Sequence, residues 1–202
     1  MRRFVSLLSG LLWLSTTAAE PLRYQLDPDH SYPHFSIRHL GISALQGRFN
    51  KMAGWVELDQ EAKTGRLEIT VEVGSLDTGM PARDRNLLKG VFGTTFFEPD
   101  KYPHMQFRAS EMGFDGELPA SISGELTIQG ITRTAAFQIR QFNCAFNPLR
   151  LAKGCGAQAV GKIKRSDFGM GGMLSLIGDE VELIIDLEAY PEHAGHDRPN
   201  TK

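Results

Sequence analysis

Apolar and polar residues alternate one by one along most of this chain. That period of two matches the pleat of a β-strand and is incompatible with long amphipathic helices. Leu67, Ile69, Val71 and Val73 alternate with Glu68, Thr70 and Glu72, the pattern of a strand with one buried face. Phe35, Ile37 and His39 share one face of an earlier strand, with His34, Ser36 and Arg38 on the other. A second strand is expected over Leu45 to Asp59, with Gly47 and Gly54 as places to bend or bulge. After the helix described below, Met105, Phe107 and Ala109 alternate in a fourth strand. Ile122 to Gln129 and Thr132 to Arg140 are joined at Gln129-Gly130-Ile131 and read as a hairpin. Ala157 to Phe168 and Glu180 to Ala189 complete the set, with Val181, Leu183, Ile185 and Leu187 on one face of the last.

One segment breaks the pattern. Pro81 to Gly90 reads as a short helix, with proline in its first turn, Leu87 and Leu88 on its body and glycine as a stop. Eight strands with local connections, and no strand-helix-strand alternation, suit an antiparallel barrel or a sandwich. Closing the sheet removes exposed edges, and the 21 glycines suit strongly bent strands. The expectation is therefore all-β: an eight-stranded antiparallel barrel with one short helix near a mouth. An interior of this size either fills with side chains or holds one small ligand, and the alternation is the same in both cases.

Arg2 and Arg3, the apolar run Phe4 to Leu14 and the small residues Thr17-Ala18-Ala19 stand in the order of a secretory signal. The run is short for a membrane span and is interrupted by Ser6, Ser9 and Gly10. Residues 1–19 are expected to be a cleaved signal peptide, 20–191 one barrel domain and 192–202 a disordered tail, in a periplasmic protein. The 22 basic and 24 acidic residues are scattered, with no basic face to engage nucleic acid. In an oxidising compartment the two cysteines, Cys144 and Cys155, are expected to pair. The rival reading, a zinc site, lacks neighbouring histidines to complete four ligands.

Candidate chemistry is sparse. His34 and His39 are five positions apart, so they point to opposite faces of a regular strand, which leaves His39 as the inward histidine. His193, His196 and Asp197 lie in the tail, where few groups would orient them as metal ligands. Asp167-Phe168-Gly169 copies a kinase triplet without the accompanying loops, and no nucleophile elbow or defensible triad occurs. The carboxylate pairs Asp27/Asp29 and Asp179/Glu180 read as solvated charge, and Arg83-Asp84 as a device fixing the helix start. No metal, cofactor or catalytic residue is expected.

A series of short motifs then resembles the YceI-like family, barrels of lipocalin-like form associated with polyisoprenoid and quinone binding. The motifs are Asp29-His30-Ser31, Phe35 to Gly41, Gly47-Arg48-Phe49, Ser75 to Thr78, Arg83-Asp84, Phe96-Phe97, Tyr102-Pro103, Gly124 to Thr132 and Arg165 to Met170. The resemblance implies an elongated apolar cavity for an isoprenoid lipid or quinone, bound without catalysis. Combined with strand parity, it points to Phe35, Ile37, His39, Phe49, Ile69, Val71, Phe107 and Leu183 as ligand-facing residues. Ordinary core packing is the alternative for each. Leu87, Leu88, Phe92, Phe96 and Phe97 would line or close one mouth. Many relatives carry a histidine and an arginine in the helix where this chain has Asn86 and Leu88, which leaves fewer polar groups for a head group. The Cys144–Cys155 loop resembles that of a disulfide-bearing branch. The resemblance leaves room for peripheral contact with a membrane or a quinone-using membrane protein, and for a homodimer. An enzyme or redox accessory acting on such a lipid, or a structural envelope protein with a filled core, are the alternatives.

Overall fold

A computed structural model describes residues 21–192. The expected signal peptide and the His193, His196 and Asp197 group lie outside the described residues, as does the tail beyond Glu192. Eleven strands form one sheet: β1 (Leu22–Leu26), β2 (Tyr32–His39), β3 (Ser43–Phe49), β4 (Met52–Asp59), β5 (Thr64–Glu72), β6 (Leu76–Asp77), β7 (His104–Asp115), β8 (Leu118–Ile128), β9 (Ile131–Asn147), β10 (Ala152–Lys164) and β11 (Ile177–Pro191). Helix α1 (Pro81–Lys89) lies between β6 and β7, and single turns of 3-10 helix cover Val73–Ser75 and Arg165–Phe168.

The sheet closes because β1 pairs with β4 on one side and β11 on the other, giving an eight-strand antiparallel ring. β2 and β3 continue the same two staves beyond chain breaks. β1 and β2 both pair with β11, while β3 runs against β2 and β4 against β1. The eight expected strands are thus eight staves, with two corrections. The first stave begins earlier, at Leu22. The expected single strand Leu45–Asp59 is broken at Asn50-Lys51, rather than bulged at Gly47 or Gly54.

Serine side chains stitch both breaks. The Ser31 hydroxyl donates to the Glu188 carbonyl and accepts from the Glu188 N–H, each at 3.1 Å, replacing ladder bonds where β1 gives way to β2. At the second break the Ser75 hydroxyl accepts from the Lys51 N–H at 3.1 Å and the Ser75 carbonyl from the Asn50 N–H at 3.0 Å. Backbone polar groups at both breaks are thereby paired without a continuous ladder.

Gly47 and Gly54 allow close approach. A Cβ on Gly47 would sit 2.5 Å from the Phe35 ring, and one on Gly54 2.2 Å from the Glu68 carbonyl oxygen. The β8–β9 hairpin turns through Gln129 and Gly130, both at positive φ (51° and 72°), as a two-residue turn requires. Helix α1 starts with Pro81 and stops at Gly90, φ 87°, as expected. The last part of the expected Ala157–Phe168 strand is instead the 3-10 turn from Arg165, which buries Phe168 and ends on left-handed Gly169. Val73 likewise leaves the β5 strand for the other 3-10 turn.

Candidate ligand cavity

The inward faces of the staves converge on an apolar cavity of about 200 Å³. Phe35, Ile37 and His39 of β2, Phe49 of β3, Ile69 and Val71 of β5, Phe107 of β7 and Leu183 of β11 all border it. So do Leu87 of α1 and Phe96 and Phe97 of the loop after it. Strand parity explains these positions, since every second side chain of a barrel stave points inward. Leu88 packs against the core without bordering the cavity. Phe92 departs altogether: it sits at φ 50° in the turn closed by Val91 and Thr94 and is 90% exposed. A tight turn presents its tip to solvent, so proximity in sequence to Phe96 and Phe97 did not carry Phe92 inside.

Aromatic rings shape the chamber. Phe49 meets Phe97 edge-on at 5.6 Å between centroids, and Phe107 meets Phe137 edge-on at 5.1 Å. The polar side chains on its border are His34, His39, Gln106 and Arg165. Arg165 is only 3% exposed, and its guanidinium donates to the carbonyls of Gly178 (2.8 Å), Ile177 (2.9 Å) and Met170. Burial pushes its pKa down, with Asp179 opposing, yet a guanidinium stays charged near neutral pH. Asp179 is itself fixed by the Ser166 N–H at 2.9 Å and hydroxyl at 2.8 Å, which hold its pKa below the usual carboxylate range. Arg165 therefore ties the 169–178 loop over the mouth. Sequence reading missed this role, and the inward parity of a residue one step past Lys164 was the available signal.

At the same end, three turns form a continuous rim. The Leu40 N–H donates to the Leu176 carbonyl at 2.7 Å, and a Cβ on Gly172 would fall 2.0 Å from the Thr94 methyl, so the turns at 40–42, 91–94 and 171–176 touch. Leu40, Ile42, Phe92, Leu174 and Leu176 are exposed on them. On α1, Asp84 accepts from the N–H and hydroxyl of Thr78, while Arg83 donates to the Thr78 hydroxyl at 2.8 Å and carbonyl at 2.6 Å. The Arg-Asp pair thus anchors the helix start, as expected.

The opposite end is built differently. Cys144 and Cys155 form a disulfide between directly paired residues of β9 and β10. The expected loop Ala145–Gly154 is mostly hairpin strand around a short turn. Asp27, expected to be solvated, is 2% exposed; its carboxylate accepts from Arg150 at 2.6 Å, His30 at 2.7 Å and the Asp29 N–H at 3.2 Å. Burial acts to raise its pKa, but those hydrogen bonds and the Arg150 charge hold it below the ordinary value. The Asp27 hydrogen bond raises that of His30 against partial desolvation. Donor atoms of Asp27, His30 and Glu188 lie within 4.8 Å of one another, but a cation among them would have to displace the Arg150 guanidinium.

A closed meander barrel around an apolar chamber, with a helix and loops over one end, defines a lipocalin-like fold. The chain belongs to the YceI-like family, whose domain matches residues 24–189. It is 30% identical to a UPF0312 protein of Enterobacter sp. (strain 638), over 95% of this chain and 98% of that protein. It is also 30% identical to protein YceI of Escherichia coli O157:H7, over 90% and 93%. Among solved structures it resembles a Campylobacter jejuni YceI protein (TM-score 0.62, 27% identity, 77% of this chain and 90% of that one). Burkholderia cenocepacia BcnA (0.66, 24%, 81% and 98%) and a polyisoprenoid binding domain from Saccharophagus degradans (0.59, 17%, 84% and 99%) share the fold.

Proposed function

We propose that this barrel carries or sequesters a long isoprenoid lipid or isoprenoid quinone in the periplasm, without chemical turnover. The observation that carries the reading is the apolar cavity of about 200 Å³ beneath a helix and loop cover. Each methylene buried there contributes about 0.8 kcal/mol, so affinity grows with tail length. The few polar groups on the border leave little to hold a head group inside, so the tail is the part recognised. The name of the Saccharophagus degradans neighbour points to the same ligand class. The disulfide favours an oxidising compartment, consistent with export through residues 1–19. Loading takes place at the exposed apolar rim around Leu40, Ile42 and Phe92 by peripheral contact with a membrane.

Native mass spectrometry of protein purified from the envelope of its own organism tests the proposal. A bound species releasing an isoprenoid on lipid extraction is expected, and a persistently empty barrel would overturn it.

A further inference from the structure

A second apolar cavity, of about 70 Å³, lies beyond the first on the side of the disulfide. It is bounded by Tyr24, Leu58, Met112, Phe142 and Cys155 among others. Leu67, Ile122, Ala159 and Leu187 border both cavities and so form the wall between them. They come from β5, β8, β10 and β11, and the first three are each less than a tenth exposed.

That wall is stiff. Ile122 is β-branched, with a restricted χ1, and stands directly opposite Phe137 in the β8–β9 ladder. Phe137 is locked edge-on against Phe107 and lies over Gly161, where a Cβ would come within 2.7 Å of its ring. A tail advancing from the mouth therefore meets Ile122, restricted in rotamer, and the leucines beside it before it reaches the far cavity. A void lined by apolar atoms forfeits dispersion contacts and stays dry, so the far cavity offers apolar volume only to a tail that passes the wall. We propose that Leu67, Ile122 and Leu187 act as a chain-length stop: the terminal isoprene unit rests against them, and the far cavity is excluded space. This deepens the carrier reading and rests on it.

The experiment offers the purified, delipidated protein a mixture of farnesol, geranylgeraniol and longer polyprenols and reads the captured lengths by native mass spectrometry. Leu67→Ala and Leu187→Ala, each opening the wall from a different stave, should shift the captured distribution upward by whole isoprene units. Ala157→Leu, which fills the far cavity alone, should leave the wild-type distribution in place and reverse the shift when combined with Leu187→Ala. Captured lengths identical in the wild type and both wall variants would overturn the stop, as would a shortening caused by Ala157→Leu in the wild-type background. Capture of no polyprenol by any form would instead overturn the carrier reading and the stop with it.

Discussion

The two ends of this barrel are held by different means. At the mouth, the cover is α1 and three turns, tied down by Arg165; exposed apolar side chains occur at both ends, Ile42 and Phe92 here and Leu149 and Leu151 on the β9–β10 turn. At the blind end a disulfide crosses two strands, and a buried carboxylate gathers Arg150 and His30. Asn147 donates to the Tyr190 hydroxyl at 2.7 Å, and the Arg150 guanidinium lies 4.6 Å from the Tyr190 ring centroid, extending that network. For the proposed carrier, the helix-and-loop end is the one that must open and the disulfide end the one that must hold its shape. The covalent link lies at the disulfide end alone, whereas charge-assisted hydrogen bonds hold both ends, Asp27 with Arg150 at one and Arg165 and Asp179 at the other.

The sharpest way to break this contrast is at Asp27. Asp27→Ala removes the shared acceptor of Arg150, His30 and the Asp29 N–H, of which the two side chains keep some solvent contact, and should lower stability by about 3 kcal/mol, measured as a fall in unfolding free energy in urea. Lipid capture at the mouth should persist below the new melting temperature. Replacing both Cys144 and Cys155 with serine should remove about 3 kcal/mol, the loop-closure value for a ring of this length. Reductant should reproduce that loss in the wild type and have no effect on the double variant.

A smaller effect is expected with pH. The Asp27 carboxylate is lowered from its ordinary 3.8, so its contribution is complete above that value and disappears as pH falls through the lower folded one. His30 is raised from 6.5, so its contribution is complete below that value and is lost as pH rises through the higher folded one. Melting temperature should therefore be highest between those two ordinary values. His30→Ala should flatten the alkaline limb and shrink the acid limb without abolishing it, because Arg150 and the Asp29 N–H still hold the Asp27 carboxylate. The smallest effect belongs to the mouth: Phe92→Ser should change stability by no more than about 0.5 kcal/mol, as for an exposed side chain, while slowing lipid uptake from vesicles. Equal uptake by the variant would remove Phe92 from the loading surface.

Much of the cavity wall was legible in the chain. Alternation placed Ile69, Val71, Phe107 and Leu183 on inward faces, and proline and glycine bracketed α1 at its true ends. Strand β1 was not legible. Its five residues, Leu-Arg-Tyr-Gln-Leu, are cut off by Asp27-Pro28-Asp29 and have meaning only through two partners, β4 and β11, that lie far along the chain. Asp27 looked like a surface charge because the arginine that buries it is 123 positions away. Phe92 looked like cavity lining because a tight turn, not alternation, sets its direction.

The sequence by itself determined eight alternating segments, suited to a barrel or a sandwich, and which side chains each turns to its apolar face, because side-chain direction in a strand depends only on parity. Only the tertiary structure decided that those inward faces leave two voids rather than one packed core. Barrel diameter and the level of each side chain depend on register and shear between strands. Register joins residues such as Cys155 to Ala189 and Ile122 to Phe137 across the sheet, and local alternation carries no record of it.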